Sequence, residues 1–201
     1  DAQESRGLGD VYKRQPSSHA GYYPGAAQLH MKMIVDAESD AILGAQIVGE
    51  EGVDKRIDVI ATAMRAGLSA TDLADLELAY APQFGSAKDP INFAGFINDN
   101  IARGEKTVQW HELDERLASG ALLVDVRSPE EFASGAIPGA VNIPLDELRV
   151  RHEEIADHDD VIVHCQVGLR GHNAARLLTN LGYDVANLDG GYLTWTNGQE
   201  D

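Results

Sequence analysis

The residues best suited to chemistry lie in one stretch, Val161-Ile-Val-His-Cys-Gln-Val-Gly-Leu-Arg170, which contains the only cysteine of the chain. Its apolar start predicts a strand that ends at Cys165, and from about Gly171 the sequence is typical of a helix. Cys165 is therefore expected on a tight loop ahead of a helix N-terminus. Loop N–H groups, the helix dipole and the charge of Arg170 all favour the thiolate over the thiol. This pattern predicts a nucleophile that can hold an additional, anionic sulfur.

The alternative for Cys165 is a small hydrophobic residue buried at a strand end, a common position for free cysteine. Its position and its neighbours favour the nucleophile. In that interpretation the backbone amides of residues 166–170 stabilise the terminal sulfur, and Gly168 lets the loop turn inward. For Arg170 the sequence leaves two roles open, a stabiliser of charge and a structural brace of the loop.

Two histidines flank the cysteine, which raises the question of a general base or a metal site. His164 is adjacent to Cys165 in the predicted strand, so its side chain should point to the opposite face. One cysteine and scattered histidines, including His172, do not give the spacing of a zinc site. The sequence therefore predicts no bound metal.

The second half of the chain must position this loop, and it alternates between strand and helix patterns. The predicted strands are residues 122–125, 141–143, 161–164 and 185–188, and the predicted helices are residues 110–119, 145–155 and 172–181, with others starting after Ser128 and at Gly190-Gly191. Ser128-Pro-Glu-Glu131 is a capping box with proline at the first helical position. Such alternation predicts a parallel α/β sheet, which places the loop at the carboxyl ends of the strands.

This half resembles the rhodanese family of sulfurtransferases over roughly residues 108–197. The resemblance rests on four motifs in order: Leu123-Val-Asp-Val-Arg127, Pro129-Glu-Glu-Phe132, Gly135-Ala-Ile-Pro-Gly-Ala-Val-Asn-Ile-Pro144 and Cys165-Gln-Val-Gly-Leu-Arg170. Ala136 is a departure, because the family often carries histidine there.

The rhodanese resemblance implies roles for individual residues. It implies that Cys165 becomes a persulfide, held by a substrate-binding loop of Gln166, Val167, Gly168, Leu169 and Arg170. Two supporting residues are Asp125, expected to accept loop hydrogen bonds, and Arg127, expected to form an ion pair near the rim of the pocket.

The first half of the chain has an α+β pattern. Residues 29–35 and 41–48 predict a hairpin, and residues 53–66, 70–76 and 91–103 predict helices, the last capped by Asp89-Pro90. Residues 104–107 are expected to be a linker. The predicted domains are therefore residues 19–103 and 108–198, with residues 1–18 as a non-native or disordered leader.

The first half also resembles a known family, the C-terminal dimerisation domain of pyridine nucleotide–disulfide oxidoreductases, over about residues 19–102. The stretches that carry the resemblance are Ala20-Gly-Tyr-Tyr-Pro-Gly25, Gly44-Ala-Gln-Ile-Val-Gly-Glu-Glu-Gly-Val-Asp-Lys-Arg-Ile-Asp58 and Ala79-Tyr-Ala-Pro-Gln-Phe-Gly-Ser-Ala-Lys-Asp-Pro-Ile-Asn92. Within that family it is most similar to coenzyme A-disulfide reductases, some of which carry a fused rhodanese domain. The resemblance implies a homodimer in which Tyr22 and Tyr80 lie at the partner subunit's active site. Packing without function is the alternative for both tyrosines, and Tyr23 competes for the role of Tyr22.

The parent enzymes of this resemblance use FAD, NAD(P)H and coenzyme A. The chain contains no Gly-x-Gly-x-x-Gly after a strand, and its dimerisation domain lacks an expected first strand. It is therefore expected to be a C-terminal fragment that binds no FAD itself.

The chain has 201 residues and a net charge of −17. Such an acidic surface disfavours nucleic acid and anionic membranes as partners. One cysteine cannot form an internal disulfide, which suits a reducing compartment, and no apolar run approaches about 20 residues. A cytoplasmic protein is expected.

These observations predict sulfane-sulfur transfer through a Cys165 persulfide, in the setting of a flavin-dependent CoA-disulfide, persulfide or polysulfide reductase. The partners would be a sulfane-sulfur donor, such as a CoA or glutathione persulfide, and a thiol acceptor. The first alternative is a non-catalytic dimerisation and sulfur-carrier module. The second is a rhodanese-like phosphatase or inactive homologue, which the short loop and the presence of the cysteine disfavour.

Overall fold

The computed structural model of the protein describes residues 11–14 and 16–199. The chain divides into two compact units, with the boundary between Gly104 and Glu105. We call these unit 1, up to Gly104, and unit 2, from Glu105 onward. The boundary falls at the start of the predicted linker.

Unit 1 is built on an antiparallel sheet of three strands in the order β1-β2-β3. The strands are β1 (Val11–Arg14), β2 (Leu29–Val35) and β3 (Ile42–Gly49), and the helices are α1 (Val53–Ala66) and α2 (Pro90–Ala102), with a 3-10 helix at Thr71–Asp75. Burial alternates along β2, because successive side chains of a strand point to opposite faces. The buried face of β2 shares one core with residues of β3 and both helices, and the core residues are Leu29, Met31, Met33, Val35, Ile42, Ile47, Ile60, Ala63, Ala70, Leu73, Ile91 and Ala94.

The presence of strand β1 contradicts two expectations from the sequence. One is that residues 1–18 form a leader outside the domain, and the other is that the first strand of this domain is missing. Strand β1 pairs antiparallel with β2, with Val11 opposite Ile34 and Arg14 opposite Met31. Ser17 then bridges Gln28. An edge strand is held by backbone hydrogen bonds, so it needs no apolar periodicity and is not visible in the hydrophobic pattern. Residues 1–10 and 15 of the expected leader lie outside the described residues.

Unit 2 is a parallel sheet of five strands in the order β4-β8-β7-β5-β6. The strands are β4 (Lys106–Val108), β5 (Leu122–Asp125), β6 (Val141–Asn142), β7 (Val161–His164) and β8 (Val185–Leu188). The helices are α3 (Leu113–Ala118), α4 (Pro129–Ala133), α5 (Leu145–Arg151), α6 (Leu169–Asn180) and α7 (Gly191–Gly198), with 3-10 helices at Trp110–Glu112 and His152–Ile155. The predicted fold class, an antiparallel sheet with helices followed by a parallel α/β domain, is confirmed.

Strand β4 is the element of unit 2 that the sequence assigns to a linker. Its three residues pair with Ala186, Asn187 and Leu188 at the edge of the sheet. It is too short to show a strand pattern of its own, and the pairing depends on residues about 80 positions away.

The central strand β7 carries the cysteine loop. Val161 and Val163 contribute to the core on one face of the sheet, and Ile162 contributes to the core on the other. Cys165 belongs to the same core as the two valines. A strand buried on both faces, with neighbours on both edges, gives the loop at its carboxyl end a rigid base.

A search for membrane-spanning segments finds no helix of sufficient length and apolar character among the residues that the structure describes.

Candidate active site

Cys165 follows β7 directly and is almost fully buried, with 1% of its surface exposed. The backbone N–H of Gly168 donates a hydrogen bond to its Sγ at 3.1 Å. Gly168 has φ of 108° and is the N-cap of α6, so the loop turns back over the sulfur in a conformation that favours glycine. Helix α6 thus begins at Leu169, three residues before the expected start at His172. A glycine N-cap has no side chain that would mark the helix start in the sequence.

The first turn of α7 fixes the backbone of the cysteine loop through two hydrogen bonds. The N–H of Tyr192 donates to the carbonyl of Cys165 at 2.8 Å, and that of Leu193 donates to the carbonyl of Gln166 at 3.1 Å. Gly191 has φ of 60°, and a Cβ atom at this position would overlap the carbonyl oxygen of Cys165. The Gly190-Gly191 pair signals a helix start in the sequence, but its contact with the cysteine loop is visible only in the fold.

The other loop residues divide between the interior and the surface. The Gln166 side chain accepts a hydrogen bond from Nη1 of Arg127 at 3.0 Å. Val167 is half-buried, and Leu169 is exposed. The loop therefore presents an apolar side chain to solvent beside a buried sulfur.

Arg170 lies in the first turn of α6 and forms a two-pronged ion pair with Glu131 of α4. Its Nη1 and Nη2 donate to the two carboxylate oxygens at 2.6 and 2.7 Å. The pair lowers the pKa of Glu131 to about 2 and raises the pKa of Arg170, to which attraction by Cys165 also contributes. Arg170 thus braces α6 to α4, which fits the structural role that the sequence leaves open for it.

Asp125 and Arg127 form a fully buried ion pair beneath the loop, with Arg127 Nη2 at 2.7 Å from Asp125 Oδ2. Asp125 also accepts a hydrogen bond from the backbone N–H of Arg127. Arg127 further donates to the Gly135 carbonyl at 2.7 Å and stacks its guanidinium over the ring of Tyr192. The expected ion pair of Arg127 is present, but it lies in the interior rather than near a pocket rim. The partners of the guanidinium compensate its burial.

His164 is fully buried on the opposite face of the sheet from Cys165, as predicted from strand alternation. Its Nε2 lies 3.6 Å from Asp125 Oδ2, beyond hydrogen-bond distance, and has no hydrogen-bond partner within the described part of the chain. Burial lowers the pKa of His164 to about 4, against the opposing attraction of Asp125. The ring is therefore neutral at pH 7 and does not face the thiol as a base.

His172, the second histidine that flanks Cys165 in the sequence, contacts a carboxylate. The Nδ1 atom of His172 lies 2.6 Å from a carboxylate oxygen of Glu105. Within residues 11–14 and 16–199, no group of three or more His, Cys, Asp or Glu side chains could hold a metal ion.

In unit 1 the structure brings together the two tyrosines singled out from the sequence. The hydroxyls of Tyr22 and Tyr80 are 2.8 Å apart, although both side chains are largely exposed. The pair forms because the N–H of Ala20 donates to the carbonyls of Pro82 and Gly85, which ties the two segments together. The hydrogen bond to Tyr22 raises the pKa of Tyr80.

Tyr23, the competing candidate, makes a different contact. It packs edge-on against His19 with ring centroids 5.9 Å apart. The geometry therefore pairs Tyr80 with Tyr22, and the two hydroxyls form a polar spot on the surface of unit 1.

Comparison with protein families gives one match in each unit. Residues 109–198 match the rhodanese-like domain, and residues 6–89 match the dimerisation domain of pyridine nucleotide-disulphide oxidoreductases. The second match begins before residue 19, in keeping with the presence of β1.

Curated relatives match less than half of the chain. A coenzyme A disulfide reductase of Staphylococcus epidermidis is 40% identical over 87 residues, which are 43% of this chain and 20% of that protein. One from Staphylococcus aureus is 46% identical over 79 residues, which are 39% of this chain and 18% of that protein.

Solved structures match across both units. The crystal structure of reduced CoADR-RHD from Bacillus anthracis has a TM-score of 0.89 and 51% identity, and the match covers 92% of this chain and 34% of that one. An NAD-dependent persulfide reductase from A. fulgidus has a TM-score of 0.84 and 35% identity, covering 97% of this chain and 36% of that one. The chain thus spans about a fifth of the curated relatives and about a third of the solved ones.

Proposed function

We propose, from the premise that this chain joins a pyridine nucleotide-disulphide oxidoreductase dimerisation domain to a rhodanese-like domain, that Cys165 transfers sulfane sulfur as a persulfide. The observation that carries this proposal is the hydrogen bond from the Gly168 N–H to Cys165 Sγ, inside a loop closed by α6 and α7. The loop is small and its donors are backbone amides, which suits one additional sulfur atom.

The transfer takes place in two displacement steps. The Cys165 thiolate attacks the outer sulfur of a donor R–S–SH, so that a new S–S bond forms while the old one breaks. The thiolate RS⁻ leaves with the electron pair of the broken bond. In the second step an acceptor thiolate attacks the outer sulfur of the Cys165 persulfide, and the Cys165 thiolate leaves. Negative charge on the sulfur is stabilised by the Gly168 N–H, the N-terminus of α6 and Arg170.

We place this transfer within a larger enzyme, a flavin-dependent reductase of CoA disulfides, persulfides or polysulfides. The names of the relatives support that setting, since they are coenzyme A disulfide reductases and an NAD-dependent persulfide reductase. The donor would be a small persulfide such as that of CoA or glutathione. A cytoplasmic location suits the free thiol, because that compartment keeps cysteines reduced.

The described residues do not fit a flavin or nicotinamide dinucleotide. The strands of unit 1 pair antiparallel, and this part of the structure has no parallel strand–loop–helix unit to hold a pyrophosphate. The glycine-containing loop of unit 2 folds around Cys165 instead. We therefore assign FAD and NAD(P)H to other domains of the parent enzyme.

Unit 1 would contribute the dimer interface. It exposes several large apolar side chains, among them Phe84 and Val48. In a homodimer of this domain type the Tyr22–Tyr80 hydroxyl pair would lie at the partner subunit's active site. Hydrogen-bonded phenols in such a place could stabilise a thiolate leaving group of the disulfide or persulfide.

The test is loading of Cys165 followed by release to a thiol. The chain is incubated with glutathione persulfide, its intact mass is measured, and dithiothreitol is then added. We expect the mass of one sulfur to be gained and lost again. Cys165→Ser should gain nothing, because the chain has no other cysteine.

Loading of the serine variant would contradict the proposal. Loading without release to dithiothreitol would instead favour the alternative of a non-catalytic dimerisation and sulfur-carrier module.

A further inference from the structure

Each of the two arginines at the cysteine loop forms an ion pair with a carboxylate. Arg127 is paired with Asp125 in the interior, and Arg170 is paired with Glu131 near the surface. The guanidinium of Arg170 uses two nitrogens on the two oxygens of Glu131, at 2.6 and 2.7 Å. The positive charge beside Cys165 is therefore largely cancelled by a neighbouring negative one.

Glu131 is itself fixed by the start of α4. It is the third residue of this helix, and its Oε2 accepts a hydrogen bond from the N–H of Ser128 at 3.0 Å. The Ser128 hydroxyl accepts one from the N–H of Glu131 in return, which completes a capping box. The carboxylate of Glu131 is thus held from two sides, by the helix cap and by Arg170.

We propose that Glu131 determines the donor specificity of the sulfur-transfer site: by neutralising Arg170, it admits donors whose reacting persulfide group is neutral or singly charged and discriminates against donors that carry two charges at the reacting group, such as thiosulfate. This inference rests on the proposed function and deepens it.

The two donors differ in the charge that the site must stabilise. In thiosulfate the Cys165 thiolate attacks the outer sulfur, the S–S bond breaks, and sulfite leaves with the electron pair and two negative charges. The reacting group of a persulfide R–S–SH carries no more than one charge and releases a singly charged sulfur, because the other charges of glutathione or CoA lie away from the reacting sulfurs.

The deciding variant is Glu131→Gln in the full chain. Glutamine is accepted at this position of a capping box, so the helix start is kept while the charge is removed. Loading of Cys165 is followed by intact mass in single-turnover experiments, with thiosulfate or with glutathione persulfide as donor. We expect the ratio of the thiosulfate rate to the persulfide rate to rise by about tenfold. The gain should shrink at high salt, because screening weakens attraction between partly exposed charges.

Two further variants separate the effect of Arg170 from other causes. Glu130→Gln makes the same change at the exposed neighbouring position and should leave the ratio unchanged. Glu131→Gln combined with Arg170→Gln should lose the gain, because the cation that produces it is absent. If circular dichroism shows that Glu131→Gln does not fold, Glu131→Ala takes its place.

The outcomes distinguish this inference from the proposed function. If the unmodified chain loads from persulfide but the ratio stays the same in Glu131→Gln, the specificity role is refuted and the proposed function stands. A gain that persists without Arg170 refutes it as well. If the unmodified chain loads from neither donor, the proposed function and the inference fall together.

Discussion

At the scale of single residues, unit 2 buries several polar side chains, among them Asp125, Arg127 and His164 beneath the cysteine loop. Asp125 and Arg127 satisfy one another, whereas Nε2 of His164 is left 3.6 Å from the nearest Asp125 oxygen. Burying a charge without a hydrogen-bonded partner is unfavourable, so the histidine stays neutral. Protonation of His164 in the unfolded chain should therefore compete with folding at acidic pH.

The pH dependence of stability has a definite sign for this residue. The pKa of His164 is about 4 when folded, against an ordinary value of 6.5. The unfolded chain therefore binds a proton at higher pH than the folded one, and unit 2 loses stability as the pH falls from 6.5 towards 4. Between about pH 7 and about pH 5 the loss from this histidine alone should be about 2 kcal/mol. The groups that face its ring are Asp125 and Arg127.

The measurement is urea unfolding followed by tryptophan fluorescence, which reports on unit 2 because Trp110 and Trp195 are the two tryptophans of the chain. Replacement His164→Leu should remove most of the additional acid sensitivity. The exposed His158→Leu is the matched control and should behave like the unmodified chain. Equal pH slopes for all three proteins would show that His164 does not titrate in this way.

At the scale of elements, the cysteine loop is defined by three pieces of backbone. Strand β7 delivers Cys165, the N-cap of α6 turns back over its sulfur, and the first turn of α7 holds the carbonyls of Cys165 and Gln166. Gly191 permits the last contact, because any side chain there would overlap the carbonyl of Cys165. The position of the sulfur thus depends on a helix that starts more than 20 residues later in the chain.

We therefore expect Gly191→Ala to destabilise the loop by more than the cost of placing alanine in a left-handed backbone conformation. Gly139 offers a matched control, since it also has positive φ but open space around its Cα. Gly139→Ala should cost about 1–2 kcal/mol from the backbone conformation and leave persulfide loading intact. Gly191→Ala should cost more stability and slow the loading of Cys165.

Urea unfolding and intact-mass loading measure the two effects separately. Normal loading in a folded Gly191→Ala protein would mean that α7 does not position the sulfur.

At the scale of the whole molecule, both units expose aliphatic side chains, whereas the exposed phenylalanine and tyrosine side chains of the described residues lie in unit 1. Phe84, for example, is 70% exposed. Large exposed apolar areas mark association sites, and two-fold pairing is the commonest oligomer symmetry. We expect the chain to associate through unit 1, with weak dimers or concentration-dependent aggregation in solution.

Sedimentation over a range of concentrations tests this expectation. The full chain should grow in mass with concentration, whereas residues 105–201 should remain monomeric. Phe84→Ser should weaken association, and Val150→Ser, which changes an even more exposed apolar residue of unit 2, should not. A compact monomer for the full chain at every concentration would refute the interface.

Much of this architecture is determined by local sequence patterns. The bounds of β2, α1, β5, β7 and β8 agree with the periodicities of apolar residues, and the capping box at Ser128 and the N-cap at Asp89 mark two helix starts. The placement of Cys165 after a buried strand and before a helix follows from the same patterns. Periods of 2 and 3.6 and the chemistry of caps involve neighbours within a few residues, so one sequence suffices to show them.

The tertiary structure alone decides which distant groups meet. It pairs β1 and β4 with strands far along the chain, gives Arg170 its partner Glu131, links Arg127 to Gln166, and joins the hydroxyls of Tyr22 and Tyr80. None of these contacts leaves a periodic trace, because edge pairing uses the backbone and ion pairs use side chains whose spacing in sequence is arbitrary. The sequence therefore determines that a cysteine sulfur stands at a strand end, and the fold decides the charge that surrounds it.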